Sequence, residues 1–264
     1  MEDLNFVNGS YRTGPVRISL MGRAMTSLTF YVQLVSIVIK GSALAKRGRY
    51  RTPEWCADSL STLRALESVG VQIEVTGIDA FTAVEGPCVF IANHMSTLET
   101  FVLPTLIAPR KDTTFVVKQS LVDYPVFKHI MRTRAPITVG RTNPREDLKA
   151  VLEGGAERLR AGMSVIIFPQ TTRTPVFDPE QFNTIGIKLA KKAGVPVVPV
   201  ALKTCAWGNG VLLKDYGKID PSKKVHFAFG KPVLIKDRGT DEHREIVEFI
   251  SGKLKEWEAE DGSV

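Results

Sequence analysis

The chain has 264 residues, 44% of them hydrophobic, with 35 Lys and Arg against 28 Asp and Glu and a formal net charge of +7. That hydrophobic share supplies a sizeable core and excludes a disordered chain, and the length suits one large α/β domain or a domain with a small appendage. The positive balance favours an anionic partner; only 8% of residues are aromatic and no nucleic-acid-binding module is visible, which points to a lipid surface or a phosphorylated molecule and away from nucleic acid.

The first segment differs from the rest. From Ala24 to Ile39 there is no charge, with Arg23 before it and Lys40 after. As helix this run reaches about 24 Å, short of a hydrocarbon core of roughly 30 Å. Thr26, Ser27, Thr29, Gln33 and Ser36 also make it polar for a spanning segment. No small-residue cleavage site follows promptly, so it does not read as a secretory signal. Lys46-Arg47-Gly48-Arg49-Tyr50-Arg51 then forms a basic cluster suited to anionic headgroups, each charge worth ~1 kcal/mol there. Pro53 to Gly70 reads as a second helix with Trp55, Leu60, Leu63 and Leu66 as its apolar positions, Trp55 being suited to a membrane interface. A helical hairpin docked on the main domain has the same composition; the adjacent basic cluster favours membrane attachment. Residues 1–70 are therefore expected to be a helical membrane-associating segment, and 71–264 an α/β domain.

From Val71 onward apolar β-prone runs (Val89–Ala92, Thr114–Val117, Ile137–Val139, Val165–Phe168, Val195–Leu202) alternate with helix-like stretches (Thr97–Ile107, Tyr124–Met131, Pro144–Leu159, Phe182–Lys192). Strands apolar on both faces and separated by helices predict an α/β fold with a mainly parallel sheet flanked by helices. Asn143-Pro144 starts the third helix well, and Gly194 with Pro196 stops the fourth. Pro104 should kink or shorten the first. Val225–Gly230 reads as a further strand and Glu242–Trp257 as a closing surface helix.

Three cysteines (Cys56, Cys88, Cys205) and four histidines (His94, His129, His226, His243) show neither a disulfide framework nor metal-ligand spacing, so a reducing compartment and no metal are expected. The chemistry gathers where the strands end. After the first run comes Asn93-His94-Met95-Ser96-Thr97-Leu98-Glu99. Residues five apart on one helix diverge by about 140°. His94 and Glu99 can meet only if the histidine sits in the turn and the glutamate in the first coil of the next helix, with Ser96 as its cap. They would then be a base and its orienter. Ser96 to Glu99 is equally a capping box, in which Glu99 serves only the helix end. After the other runs come Lys118, Gly140-Arg141, Pro169-Gln170-Thr171-Thr172-Arg173 and Lys203-Thr204. Ligands of open α/β sheets bind beyond the carboxyl ends of the strands. Each cation alone is an ordinary loop residue; together they describe a rim that holds a phosphorylated molecule while His94 removes a proton. Arg141 and Arg173 could grip phosphate bidentately.

With these residues the chain resembles the glycerolipid acyltransferases, in particular those acting on lysophosphatidic acid, from about Gly86 to Leu202. The family's Asn-His, four residues, Asp motif is matched by Asn93-His94 and Glu99, and its second block by Ile137-Thr138-Val139-Gly140-Arg141. Its Phe-Pro-Glu-Gly-Thr-Arg block is matched by Phe168-Pro169-Gln170-Thr171-Thr172-Arg173, and its Val-Pro-rich strand by Gly194 to Val200. The resemblance implies that His94 is the general base on a lipid hydroxyl, oriented by Glu99. It implies direct attack on a thioester, acyl-CoA or acyl carrier protein, with no cofactor, and there is no Gly-x-Ser-x-Gly elbow to offer a covalent serine. It makes Arg173 the principal phosphate ligand, with Gln170, Thr171, Thr172, Arg141 and Lys118 as further substrate-binding positions. It places the enzyme on the cytoplasmic face of an anionic membrane, with a lysophospholipid acceptor and no nucleic acid as partner. Glu99 for aspartate, Gln170 for glutamate and Thr171 for glycine depart from the pattern and suggest an altered acceptor pocket. Glycerol-3-phosphate or an amino-acid lipid as acceptor, or an inactive lipid-binding relative, remain alternatives; a phosphate-ester hydrolase lacks a metal or nucleophile.

Overall fold

The computed structural model describes residues 4–170, 172–210 and 214–262. In chain order the elements are β1 (Tyr11–Arg12), α1 (Leu20–Ala24), α2 (Thr26–Lys46), α3 (Thr52–Ser68), β2 (Ile73–Thr76), α4 (Ile78–Thr82), β3 (Val89–Ala92), α5 (Leu98–Ile107), β4 (Thr113–Lys118), α6 (Gln119–Val122), α7 (Phe127–Thr133), β5 (Ile137–Val139), α8 (Pro144–Arg160), β6 (Ser164–Ile167), α9 (Ile185–Ala193), β7 (Val197–Lys203), β8 (Val225–Phe229) and α10 (Thr240–Asp261). The strands form one sheet in the order β1-β2-β8-β7-β3-β6-β4-β5. β3 to β7 run parallel, whereas β8 pairs antiparallel with β7 and carries β2 with it. The sheet is thus parallel across the strands whose ends form the rim, and β3, flanked by β6 and β7, lies inside it. Every residue of β3 and β6 is buried, as a strand covered on both faces requires.

Two apolar layers cover the sheet. On one side α3, α5 and the inner face of α2 pack with Phe81, Phe90 and Phe229; on the other, α8, α9 and α10 pack with Val89, Ile91 and Val165. Residues before position 70 thus enter the same core as the sheet. Trp55, expected at an interface, is 9% exposed and lies under the Arg134 guanidinium, 4.6 Å from the ring centroid. Its helix is the inner one of the pair, so its apolar face is spent on the domain. The helix extends past the uncharged run: α2 continues through Lys40, Gly41 and Ser42 to Lys46. Gly41 is where α2 touches α3, because a Cβ there would stand 2.5 Å from Asp58 Oδ2.

Helix α5 carries Glu99 and continues past Pro104, expected to kink or shorten it, to Ile107. Pro104 lacks an N–H, and its ring presses on the carbonyl four residues back. Ser59 of α3 repairs the turn: its hydroxyl donates to the Phe101 carbonyl at 2.6 Å and accepts the Thr105 N–H at 2.9 Å. Ser59→Ala leaves two buried backbone groups short of a partner, so a loss of about 2 kcal/mol in urea unfolding is expected, with faster amide exchange at Thr105.

Opposite Lys203 at the end of β7, His226 of β8 is 2% exposed and stacks on Trp257 of α10, with 4.9 Å between centroids. Its Nδ1 is 3.5 Å from Glu74 Oε2 and its Nε2 is buried without a hydrogen-bond partner. Burial, chiefly, pushes its pKa down to about 4; Asp261 pulls it up, while Lys203, Lys224 and Arg12 push it down. The folded state therefore holds His226 neutral where the unfolded chain would protonate it. This costs nothing above about pH 6.5, and stability falls as pH drops from there toward 4, by about 2–3 kcal/mol in all. His226→Leu should remove that part of the acid loss, read as a smaller shift in the denaturant midpoint between pH 7 and pH 4.5 than in the wild type.

Candidate active site

The chain leaves β3 at Ala92 and turns through residues 93–97 into α5. Asn93, fully buried, fixes the turn to the next strand: its Nδ2 donates to the Leu202 carbonyl and its Oδ1 accepts the Leu202 N–H, each at 2.8 Å. His94 follows, its side chain 15% exposed, lying face to face on Phe168 with 4.3 Å between centroids. Its backbone is held on both sides. The N–H donates to Gln170 Oε1 at 2.7 Å, and the carbonyl accepts the Thr174 N–H at 3.0 Å.

Glu99 stands in the first coil of α5, completely buried, with Oε1 2.9 Å from His94 Nδ1. The same oxygen accepts the backbone N–H groups of Met95 at 2.7 Å and Ser96 at 3.0 Å; the other accepts the Thr204 hydroxyl at 2.6 Å. Ser96 Oγ, meanwhile, accepts the Leu98 N–H. The cap position itself falls on Thr97, one residue later than expected and with no side-chain cap bond, while Glu99 still accepts the Ser96 amide as the capping reading required and meets His94 with the same oxygen. Burial alone would raise the Glu99 pKa, but the hydrogen bond and charge of His94, then Thr204 and the Ser96 amide, hold it below its ordinary value. With a carboxylate on Nδ1, the imidazole proton belongs on that nitrogen and Nε2 is the free lone pair.

The loop after β6 supplies the next group. Arg173 donates through Nη1 to Thr97 Oγ1 and forms an ion pair through Nη2 with Asp215 Oδ1 at 2.7 Å. Thr174 bonds the His94 carbonyl and Thr97 lies in the His94 turn, so the loop that carries Arg173 is tied to that turn at two points. Gln170 is buried and both ends of its amide serve the protein, Oε1 on His94 and Nε2 on the Thr174 hydroxyl at 2.9 Å. Thr172 is exposed beside Arg173, and Thr171 lies outside the described residues.

Lys118 and Arg141 end β4 and β5 on the same rim, but those strands are second and third from β3. At strand spacing this sets them about 10 and 14 Å from the His94 turn. Arg141 is exposed, its backbone in the left-handed region at φ 62° and its N–H on Asp147 Oδ2 at 2.9 Å. Lys203, expected on the rim, turns away from it: its ammonium binds Asp261 at 2.6 Å and the Trp257 carbonyl at 3.0 Å at the end of α10. Thr204, the next residue, takes the place on Glu99. It was visible as the residue after β7, and the adjacency of β7 to β3 is what gives it meaning. Asp215 carries no sequence signal; it reaches Arg173 from the connection between β7 and β8.

Comparison with known proteins bears on the family and the fold. An acyltransferase family profile matches residues 72–203. A 1-acyl-sn-glycerol-3-phosphate acyltransferase of Pseudomonas aeruginosa is 36% identical over 157 residues, covering 59% of this chain and 58% of the relative. The chloroplastic 1-acyl-sn-glycerol-3-phosphate acyltransferase BAT2 of Brassica napus is 29% identical over 129 residues, covering 49% of this chain and 36% of the relative. The matched stretch is thus well short of either relative's full length. The crystal structure of the 1-acyl-sn-glycerophosphate acyltransferase PlsC of Thermotoga maritima superposes with a TM-score of 0.69 at 19% identity, over 90% of this chain and 96% of that one, and so shares the fold.

Proposed function

The chain belongs to the acyltransferase family, and on that premise we propose that it moves a fatty acyl group from a thioester, acyl-CoA or acyl carrier protein, to the free hydroxyl of a lysophospholipid, lysophosphatidic acid before others. The observation that carries this reading is the His94–Glu99 pair, a buried carboxylate on Nδ1 that leaves Nε2 as the lone pair, in a turn whose Thr97 hydroxyl meets Arg173. Nε2 takes the proton of the acceptor hydroxyl as its oxygen attacks the thioester carbonyl. The tetrahedral intermediate collapses, the C–S bond breaks, and the leaving thiolate takes the proton back from the imidazolium. Glu99 balances the transient charge. Arg173 holds the acceptor phosphate, Gln170 braces the His94 turn beside it, and Thr171 and Thr172 are further substrate-binding positions. Lys118 and Arg141, further along the rim, suit the anionic part of the donor. No cofactor is needed.

Within residues 1–70, helices α1 and α2 serve to attach the enzyme to the cytoplasmic face of an anionic membrane. Helix α2, at 21 residues, is the one described helix long and apolar enough to cross a membrane. Phe30 and Leu34 on one face are buried against the domain, while Met25, Leu28, Val32, Val35 and Ile39 form an exposed ridge on the other, continuing Met21 of α1. A helix packed on a domain along one side fits half-immersion better than spanning. Lys46, Lys128 and Arg132 crowd His129 at the end of the ridge; loss of solvent around that ring, then these cations, lower its pKa. Val32→Glu is expected to weaken sedimentation with vesicles of anionic phospholipid about tenfold or more while thermal unfolding stays within a few degrees.

The function is tested by acyl transfer from labelled acyl-CoA, and separately from acyl carrier protein, to lysophosphatidic acid in mixed micelles, with glycerol-3-phosphate and an amino-acid lipid as rival acceptors. Phosphatidic acid as principal product supports the proposal. Absence of transfer to every acceptor, with folding and lipid binding intact, overturns it in favour of a lipid-binding relative.

A further inference from the structure

Resting on the acyltransferase reading, we propose that Asp215 sets the head-group preference of the acceptor site: it holds Arg173 neutralised, so that a phosphate monoester releases the arginine and a phosphate diester does not. Both terminal nitrogens of Arg173 are occupied, Nη2 by Asp215 Oδ1 at 2.7 Å and Nη1 by Thr97 Oγ1. The Thr97 hydroxyl also lies 3.5 Å from Asp215 Oδ1, so the three side chains close on one another.

The pairing is built rather than casual. The Asp215 carbonyl accepts the indole N–H of Trp207 at 3.1 Å. Trp207 in turn is 1% exposed, stacked on Phe101 of α5 and edge-on to Phe30 of α2. The Asp215 side chain is nevertheless 41% exposed, against 18% for Arg173, so an incoming anion can exchange with it.

The exchange depends on charge. A phosphate diester carries one negative charge, as a carboxylate does, and replacing one by the other leaves Asp215 without its cation for no net gain. A phosphate monoester carries about −1.5 to −2 at neutral pH and three acceptor oxygens, enough to take the arginine fork from a single carboxylate oxygen. The acceptor class this selects is the lysolipid whose phosphate is terminal.

The test is Asp215→Asn, which keeps the side-chain shape and the Trp207 contact, assayed with lysophosphatidic acid and lysophosphatidylglycerol. KM for the diester should fall about fivefold and KM for the monoester less, with kcat within twofold, so that wild-type preference for the monoester shrinks. In an Arg173→Gln background the Asp215 change should have no further effect. A raised KM for both acceptors, or an unchanged preference, overturns the proposal and leaves Asp215 as a support for Arg173. Calorimetric titration of wild type and Asp215→Asn with glycerol-3-phosphate and with glycerophosphoglycerol repeats the comparison without turnover. The variant should bind the diester about fivefold tighter even if no acceptor is acylated, which separates failure of this inference from failure of the enzymatic reading.

Discussion

His94→Ala is expected to lower kcat for acyl transfer by ~10³-fold, near the middle of what general-base assistance contributes, while KM for the acceptor moves little. The geometry separates chemistry from folding at this residue. The turn is held by groups that alanine keeps: the residue 94 N–H on Gln170, its carbonyl on the Thr174 N–H, and Asn93 bridging Leu202. Glu99 loses one donor of several and retains the Met95 and Ser96 amides and the Thr204 hydroxyl. The cost in stability should be about 1–2 kcal/mol, from that hydrogen bond and from the Phe168 stack. Acyl transfer by radiolabel together with thermal unfolding reads both quantities. A variant that unfolds as the wild type does but keeps most of its kcat would remove His94 from the mechanism.

The site was legible in the sequence where it is local. His94 and Glu99 are joined by one turn, so spacing and a helix start suffice to bring them together. The strands β3, β6 and β7 were legible because burial on both faces makes their runs almost wholly apolar. β2 was not, since in Ile73-Glu74-Val75-Thr76 only alternate residues are buried and the run is short. What spacing could not show was pairing across the sheet. Thr204 matters to Glu99 only because β7 lies beside β3. Lys203 looked like a rim cation until the end of α10 supplied Asp261 for it. Pro104 reads as a helix breaker unless a serine from another helix fills the gap in the ladder, and nothing in α5 itself announces Ser59. Asp215 is the extreme case: its importance comes wholly from the arginine it meets.

Glu99→Gln should divide the two duties of that carboxylate. An amide oxygen placed where Oε1 is can still accept from His94 Nδ1 and the Met95 N–H, so ring orientation and tautomer are kept. At the other end an amide nitrogen faces the Thr204 and Ser96 hydroxyls, which can turn to accept from it. Stability at pH 7 is therefore expected to change by about 1 kcal/mol. What disappears is the charge that balances the imidazolium, and kcat should fall by ~10²-fold or more with KM unchanged. The pH dependence carries a second signature. Because the folded-state pKa of Glu99 lies below its ordinary value, its ionised form contributes stability above the ordinary carboxylate range, and this is lost as pH falls through the folded pKa. The glutamine variant lacks that component, so its unfolding midpoint should drop less on going below pH 4.5 than the wild type's. Glu99→Ala marks the contrast: it strands the Met95 and Ser96 amides in a site with no solvent, at about 1–3 kcal/mol for each, and should fail in folding before it fails in catalysis. Equal losses of kcat and stability in both variants would reduce Glu99 to a helix cap, whereas intact stability with lost turnover in the glutamine variant would identify its charge as part of the chemistry.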